Sequence, residues 1–291
     1  KSCDSRWKFL CDLGNRVGLD LGGFMKAAAL YGFMRFLPRL MRIHLSKATI
    51  EAQIEDLLVE LWPRESDAEL IRLGSPGDGG YLIPNLLNGI QVCISPGIGS
   101  TSEFERQLAS DFKIHSVLID PIRSPVNLEI DKHTFIKKYL GVNRSSDYIS
   151  LNDVIQKFCF TPREAILQMD IEGAEYANLM DVQSELLSKF RILVIEFHNI
   201  HYWFSKPFFE SIVKPIFEKL LNSFFVVHIH SNNISFYNSL NKYKIPNTFE
   251  VTFLNRESST IGNLVHALPN SLDIKNSKLK SDISFPKVIR R

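Results

Sequence analysis

From Leu70 onward, short runs rich in β-branched and aromatic residues alternate with amphipathic stretches of helical spacing. This alternation constrains the fold most strongly, because strands linked by crossover helices form a parallel sheet. The predicted strands are 91–95, 114–119, 134–140, 165–170, 191–197, 224–230 and 248–254. The predicted helices between them lie near 101–112, 150–158, 174–188 and 206–222. The last two strands are joined by a loop. The sequence therefore predicts an α/β fold with a seven-stranded, mostly parallel sheet, closed by an antiparallel strand and carrying helices on both faces.

The residues before the sheet have helical rather than strand spacing. Apolar side chains recur at helical intervals through 33–41 and 50–61, and Pro63 ends the second helix. After Leu268 the chain becomes polar and basic. We therefore expect an N-terminal helical extension over 1–66, a sheet domain over 67–268 and a basic, mobile tail over 269–291.

Charge and cysteine content exclude several classes of protein. The 34 basic and 32 acidic residues give a net charge of +2, which is too small for a surface that binds nucleic acid throughout. The four cysteines are scattered without a CxxC pair, which favours reduced thiols in the cytoplasm over a disulfide framework or a zinc site. The apolar stretch 24–45 is interrupted by basic residues, so it is a poor candidate for a membrane span.

One helix in the extension has a basic face. Arg35, Arg39 and Arg42 recur at helical spacing, and no acid lies between Lys26 and Lys47. Such a helix can lie on an anionic membrane, which would place residues 26–47 in peripheral contact with the inner membrane surface. A packed helix with a solvated basic face explains the same pattern and is favoured.

The first strand runs into the turn SPGIGSTSEFE (95–105). Gly97 and Gly99 allow the backbone to approach a ligand closely, and the following helix offers free N–H groups. The second strand ends at Asp120, 21 residues beyond Gly99, where folds of this kind bind ribose hydroxyls. The pattern therefore indicates a cofactor that contains adenosine. NAD(P) fits less well, because Ser100 follows Gly99 and the third glycine of its fingerprint is missing.

Several segments together resemble the FkbM-type methyltransferases. They are DGGYLIP (78–84), SPGIGSTSEFE (95–105), SLNDVI (150–155), LQMDIEGAEYANL (167–179) and VIEFH (194–198). The resemblance covers roughly residues 70–255 and implies a class I methyltransferase fold, S-adenosylmethionine as donor, and O-methylation of a carbohydrate or glycolipid.

The resemblance also implies roles for individual residues. The donor would lie against Ser95, Gly97, Gly99, Asp120 and Asp170, and the reaction would take place beside Asp170 and Glu172. Class I enzymes commonly have an acid where this chain has Ser95, and Asp78 is one residue that could compensate for it.

A polar cluster is predicted where the fourth and fifth strands end. Asp170 and Glu172 follow one strand, and Glu196 and His198 share a face at the end of the next. Either Glu172 or His198 could take the proton of an acceptor hydroxyl, with Asp170 beside them. Two arrangements stay open: Asp170, Glu196 and His198 hold a divalent ion (Mg²⁺ or Mn²⁺), or the acids orient His198 as a base without metal.

Candidate acceptor-binding residues surround this cluster. His201, Tyr202 and Trp203 follow the fifth strand and could stack on a sugar ring, and His230 ends the sixth strand. The sequence thus predicts an O-methyltransferase acting on a glycan, glycolipid or other small hydroxylated molecule. The alternatives are an NAD(P)-dependent oxidoreductase and a catalytically silent binding or scaffold module.

Overall fold

The computed structural model describes residues 46–99, 101–143 and 145–288. The chain divides into two compact units, Lys1–Lys47 and Ala48–Arg291. All but Ser46 and Lys47 of the first unit lies outside the described residues, so the basic helix within 26–47 and its membrane contact stay hypotheses. The predicted domain boundaries at 66 and 268 also stay predictions.

The second unit alternates helices and strands along most of its length. Its helices are α1 (Glu51–Leu61), α2 (Glu103–Phe112), α3 (Leu151–Phe158), α4 (Glu175–Asp181), α5 (Ser184–Leu187), α6 (Lys206–Phe208) and α7 (Lys214–Ser223), with 3₁₀ turns at Ile130–Lys132 and Ile200–Phe204 and a π-helical turn at Phe209–Val213. Its strands are β1 (Arg64–Ser66), β2 (Leu70–Gly74), β3 (Gly80–Pro84), β4 (Val92–Pro96), β5 (His115–Ile119), β6 (His133–Ile136), β7 (Tyr139–Leu140), β8 (Tyr148–Ile149), β9 (Ala165–Met169), β10 (Phe190–Phe197), β11 (Phe224–Ser231), β12 (Tyr237–Leu240), β13 (Tyr243–Pro246), β14 (Phe249–Asn255) and β15 (Ile261–Leu264).

Seven of these strands form one sheet in the order β6-β5-β4-β9-β10-β14-β11. Strands β4, β5, β6, β9 and β10 pair in parallel, whereas β14 runs antiparallel to both β10 and β11. The predicted seven-stranded sheet is confirmed, and it is consistent with a Rossmann-like methyltransferase fold. The chain moves outward from β4 to β6 and then returns to place β9 beside β4. Ligands bind in such a crevice, outside the carboxyl ends of the two strands where the order reverses.

The sheet separates two apolar layers because side chains alternate between its faces. On β10, Leu193 and Ile195 face helices α1, α3, α4 and α7, whereas Ile192 and Val194 face α2 and the β2–β3 hairpin. Helices on both faces were predicted. One face is instead shared between a helix and a hairpin, since Tyr81 and Ile83 of β3 supply apolar surface there.

Three predicted elements differ from the structure. The strand predicted over 134–140 ends at Ile136, and Tyr139–Leu140 pairs instead with β8. The helix predicted over 174–188 breaks at Val182, where the Asn152 side chain bonds the backbone of Asp181 and Gln183. The helix predicted over 206–222 contains the π-helical turn before Pro215, a residue that has no N–H to continue an α-helical ladder.

The chain beyond β15, expected to be a mobile tail, packs against the sheet. Ile283 and Phe285 are buried, and the Phe285 ring lies 5.1 Å from that of Phe249 on β14. The Asn233 side chain donates to carbonyls of Ser277 and Lys280. The polar composition of this segment predicted mobility, because the few apolar side chains that anchor it do not stand out in the sequence. Within the described residues, no helix is long and apolar enough to cross a membrane.

The two aromatic side chains at the centre of the 200–204 turn differ in how much of their surface is exposed. Trp203 is 0% exposed and Tyr202 is 49% exposed. The Trp203 ring packs edge-on against Phe217 and Phe249, and its Nε1 donates to the Tyr176 hydroxyl at 2.9 Å. Trp203 therefore belongs to the core and offers no surface for a sugar ring, which corrects its assignment as a substrate-binding residue.

We predict that Trp203→Ala lowers the free energy of unfolding by about 3–5 kcal/mol, because it leaves a large cavity in a close-packed core. Its neighbour provides the matched control: Tyr202→Ala should cost less than about 1 kcal/mol, as expected for a half-exposed side chain. Urea denaturation followed by circular dichroism measures both. Equal losses for the two variants would contradict the burial described here.

Candidate active site

The turn after β4 brings two strands of the crevice into contact. Gly97 has φ +90°, and a Cβ added there would lie 1.7 Å from the carbonyl oxygen of Asp170, at the end of β9. Only glycine fits this position, both for its dihedral and for its space. At Gly99 an added Cβ would meet nothing closer than 3.8 Å. The turn is therefore packed on one side and open on the other.

Asp120 ties the same turn to the end of β5. Its Oδ2 accepts from the backbone N–H of Ile98 at 3.0 Å, and its Oδ1 accepts from those of Ile122 and Arg123 at 2.7 and 2.6 Å. The Arg123 guanidinium in turn donates to the Ile98 carbonyl. The carboxylate thus fixes both loops at the predicted ribose position while staying partly exposed.

Ser95 is held by a buried acid that sequence reasoning did not assign. Its hydroxyl lies within hydrogen-bond distance of Glu105 Oε1, at 2.5 Å, and of Gln168 Oε1, at 2.7 Å. Gln168 Nε2 also donates to the Tyr81 hydroxyl at 3.1 Å. Burial raises the pKa of Glu105. An acid from α2 therefore stands beside the serine where an acid on the strand was missing.

A cavity opens beside these groups. Its walls combine the glycine turn, the Ser95 network and the end of β9, with the lining residues Asp78, Gly79, Tyr81, Gly97, Gly99, Thr101, Phe104, Glu105, Gln168 and Asp170. The predicted donor residues Gly97, Gly99 and Asp170 line it directly, whereas Ser95 lies behind Glu105 and Gln168. Asp170 also belongs to the predicted reactive cluster, so the cavity reaches that cluster.

The structure brings the side chains of Asp170, Glu196 and His198 together. One ligand atom from each lies within 4.8 Å of the others. Burial raises the pKa of Asp170 to about 6, and burial followed by the charge of Asp170 raises that of Glu196 well above its usual range. Two adjacent carboxyls in this position favour a shared proton or a bound cation over two free charges.

Glu175 orients His198. The Glu175 side chain is fully buried, and its Oε1 accepts from the backbone N–H of Ile171 and Gly173 and lies 3.1 Å from His198 Nδ1. Because a carboxylate only accepts, Nδ1 carries the proton and Nε2 is left for chemistry. The pKa of His198 is raised: burial acts to lower it, but Glu175, Asp170 and Glu172 outweigh that effect.

Glu172 reaches the same imidazole from the solvent side. Its side chain is 88% exposed, and Oε2 lies 3.6 Å from His198 Nε2, while Asp170 Oδ1 lies 3.8 Å away. Glu172 has φ +57°, a left-handed conformation that is uncommon for a residue other than glycine. Such strain is often found at functional positions.

A second polar group lies beside the first on the next two strands. Glu196 pairs in register with Glu250, and Glu250 with His230, so the three share one face of the sheet. His230 Nδ1 lies 3.6 Å from Glu250, and its Nε2 is buried without a hydrogen-bond partner. His228 Nε2 lies 2.9 Å from Asp273 of the C-terminal segment. His230 therefore sits under this segment and not on an open rim.

The remaining predicted acceptor residues form an exposed patch. The His201 ring lies 4.2 Å from that of Tyr202 and 6.0 Å from that of Phe236. Phe236 is 57% exposed and was not predicted, because nothing in the sequence brings its loop to this turn. His201 Nδ1 lies 2.9 Å from Asn247 Oδ1, which fixes the ring. His201, Tyr202 and Phe236 can therefore offer aromatic surface to a ligand.

The residues present fit both groups that the sequence implies. Asp170 Oδ1 is buried without a hydrogen-bond partner, as suits an atom that awaits a cation or a proton. The open side of Gly99 and the partly exposed carboxylate of Asp120 suit an adenosine moiety beside the turn.

We predict that Gly97→Ala lowers the free energy of unfolding by about 2–5 kcal/mol, through its clash with Asp170 and its positive φ. Gly99→Ala is the matched variant two residues away, and it should change stability by less than about 0.5 kcal/mol. Urea denaturation compares them. A Gly97→Ala protein as stable as Gly99→Ala would show that the two strands do not approach as described.

We further predict that Glu175→Gln lowers the pKa of His198, because it removes a negative charge at 3.1 Å while burial continues to disfavour the imidazolium. NMR titration of the His198 ring measures the change. Glu185→Gln, an exposed acid on α5, is the control and should leave the titration unchanged. A His198 pKa that does not respond to Glu175→Gln would remove Glu175 from this role.

Comparison with known families bears on this part of the chain. Residues 127–223 match a family model described as the Methyltransferase FkbM domain. The match includes the reactive cluster from Asp170 to His198 and begins after the Gly97 turn, which lies outside it. No curated protein matches the chain. The resemblance deduced from the sequence motifs is thereby confirmed over residues 127–223, which are similar to an FkbM methyltransferase domain.

Proposed function

We propose that the protein transfers a methyl group from S-adenosylmethionine to a hydroxyl oxygen of a carbohydrate or glycolipid. The observation that carries this proposal is the position of Asp170. Its backbone contacts Gly97, its side chain lines the cavity, and its carboxyl stands beside His198. A donor in the cavity would therefore present its reactive end to a base.

The cavity supports the donor assignment in two ways. The open side of the turn at Gly99 leaves room for a nucleoside, and Asp120 fixes the loops where a ribose would lie. S-adenosylmethionine supplies an already activated methyl group, so the protein needs mainly to align the acceptor and exclude water.

The acceptor hydroxyl needs a base, because it is a poor nucleophile at neutral pH. We assign this role to His198 Nε2, with Nδ1 held by Glu175. Glu172 and Asp170, at 3.6 and 3.8 Å, stabilise the imidazolium that forms when the proton is taken. The exposed Glu172 carboxylate is the second group that could accept the proton.

The patch of His201, Tyr202 and Phe236 supports a carbohydrate acceptor. Aromatic faces stack on the apolar faces of sugars, and the polar atoms of His201 and Tyr202 can form hydrogen bonds with hydroxyls. His230 lies under the C-terminal segment, so we place it behind the acceptor site and no longer in contact with it.

A bound divalent cation, as an alternative to a shared proton, could neutralise the negative charge of the carboxyls in this site. Asp170, Glu196 and His198 offer two oxygens and one nitrogen within 4.8 Å. This donor set suits Mg²⁺ with several waters, or Mn²⁺ because of the imidazole. A bound cation would lower the pKa of an acceptor hydroxyl, and His198 would then be a ligand and not the base.

The proposal predicts that methyl transfer depends on this cluster. With labelled donor and a panel of nucleotide sugars, free glycans and lipid-linked glycans, His198→Ala should lower turnover by about 10²-fold or more, the scale of losing a general base. Asp170→Asn and Glu172→Gln should also lower it, and donor binding should persist in His198→Ala and Glu172→Gln, since neither side chain lines the donor cavity. His133→Ala, on a strand four places away in the sheet, is the control.

Chelation separates the two arrangements. Turnover that is lost with chelator and restored by Mg²⁺ or Mn²⁺ supports the cation, whereas unchanged turnover supports His198 as base. Near-normal turnover in all three cluster variants would contradict the proposed site.

A further inference from the structure

The cavity beside Gly97 has a buried acid in its wall that the chemistry above does not use. Glu105 lies in the first turn of α2 and is 7% exposed. An isolated carboxylate at such a position is costly, so it needs a proton, a hydrogen-bonded partner or a cation. Its only described side-chain hydrogen bond is to the hydroxyl of Ser95, at Oε1.

Glu105, Ser95, Gln168 and Tyr81 are linked by a chain of hydrogen bonds in which every donor and acceptor can exchange roles. With Glu105 protonated, its hydroxyl donates to Ser95, Ser95 donates to Gln168 Oε1, and Gln168 Nε2 donates to the Tyr81 hydroxyl. With Glu105 ionised, the order reverses: Tyr81 donates to a turned Gln168 amide, whose nitrogen donates to Ser95, and Ser95 donates to the carboxylate. The charge of Glu105 can therefore change without breaking a hydrogen bond.

The charges around the cavity favour a positive ligand group. Asp78, Glu105 and Asp170 line it, and no Lys, Arg or His occurs among the described lining residues. Asp170 is already engaged with the reactive cluster, and Asp78 accepts from the Asn276 side chain at 3.1 Å. Glu105 is the acid that stands in the wall with only a neutral hydroxyl beside it.

We propose that Glu105 binds the ammonium group at the amino-acid end of the donor, and that Ser95, Gln168 and Tyr81 hold its carboxylate in place. This inference rests on the proposed donor, S-adenosylmethionine, which carries an α-ammonium group on its methionine portion. Glu105 is thus a donor-binding residue, and Gln168 and Tyr81 are positioning residues. The ammonium group compensates the charge of the buried carboxylate, as a proton also would.

Two related ligands test this assignment by calorimetry on the full chain. S-adenosylhomocysteine keeps the amino-acid portion, whereas methylthioadenosine lacks it. Glu105→Gln should weaken S-adenosylhomocysteine by about 10- to 100-fold, the scale of a charge-assisted hydrogen bond, and leave methylthioadenosine unchanged. Glu103→Gln, two residues earlier and paired with Arg106 at the surface, should change neither affinity.

Retained methylthioadenosine binding shows that the Glu105→Gln protein is folded. Equal weakening of both ligands would overturn the assignment, because it would mean that Glu105 supports the cavity as a whole. Unchanged S-adenosylhomocysteine affinity would overturn it too, and a loss in Asp78→Asn instead would transfer the role to Asp78. If the unaltered protein binds neither ligand, the proposed donor itself is wrong, a result distinct from a failure of Glu105.

Discussion

The contact between Gly97 and the backbone of Asp170 is the constraint on which the site depends. It joins the ends of β4 and β9, the neighbouring strands where the order of the sheet reverses. Without a Cβ at Gly97 the two chains approach closely enough for a ligand beside the turn to reach the carboxyl that follows β9. Asp120 and Glu175 then fix the loops on either side through backbone N–H groups. Donor cavity and reactive cluster are thus built from adjacent strand ends.

The neighbouring strands β10 and β14 carry two buried acids at the same edge of an otherwise apolar sheet. Glu196 and Glu250 stand opposite each other in register, and both are nearly enclosed. Each has neutral amide partners: Asn232 donates to Glu196 and Asn276 to Glu250. Amides lessen the cost of burial but do not cancel charge. The buried carboxylates at this edge of the sheet are therefore stabilised further when they bind protons or cations. A catalytic site can use this property, whereas a purely structural core does not need it.

Periodicity predicted the sheet well, because each core strand is an apolar run that must be buried on both faces. Prediction from periodicity failed where contacts between distant residues determine the structure. Asn152 ends a helix 30 residues away, and only a few apolar residues hold the segment after β15 against the sheet. In the site, strand ends predicted the meeting of Asp170 and His198. Phe236 was missed because its neighbours in space lie on another loop, and Glu105 because its position in a helix does not show that its side chain turns inward to Ser95. Trp203 was misplaced, because sequence alone does not show which aromatic of a turn points inward.

The C-terminal segment completes the polar layer that the sheet begins. Asp273 pairs with His228 in a buried position, and although burial acts to raise the pKa of this carboxyl, the hydrogen bond and charge of His228 lower it. Asn276 bridges Asp78, beside the donor cavity, and Glu250, beside the reactive cluster. One amide side chain of this segment therefore bridges the wall of the donor cavity and the far strands of the sheet.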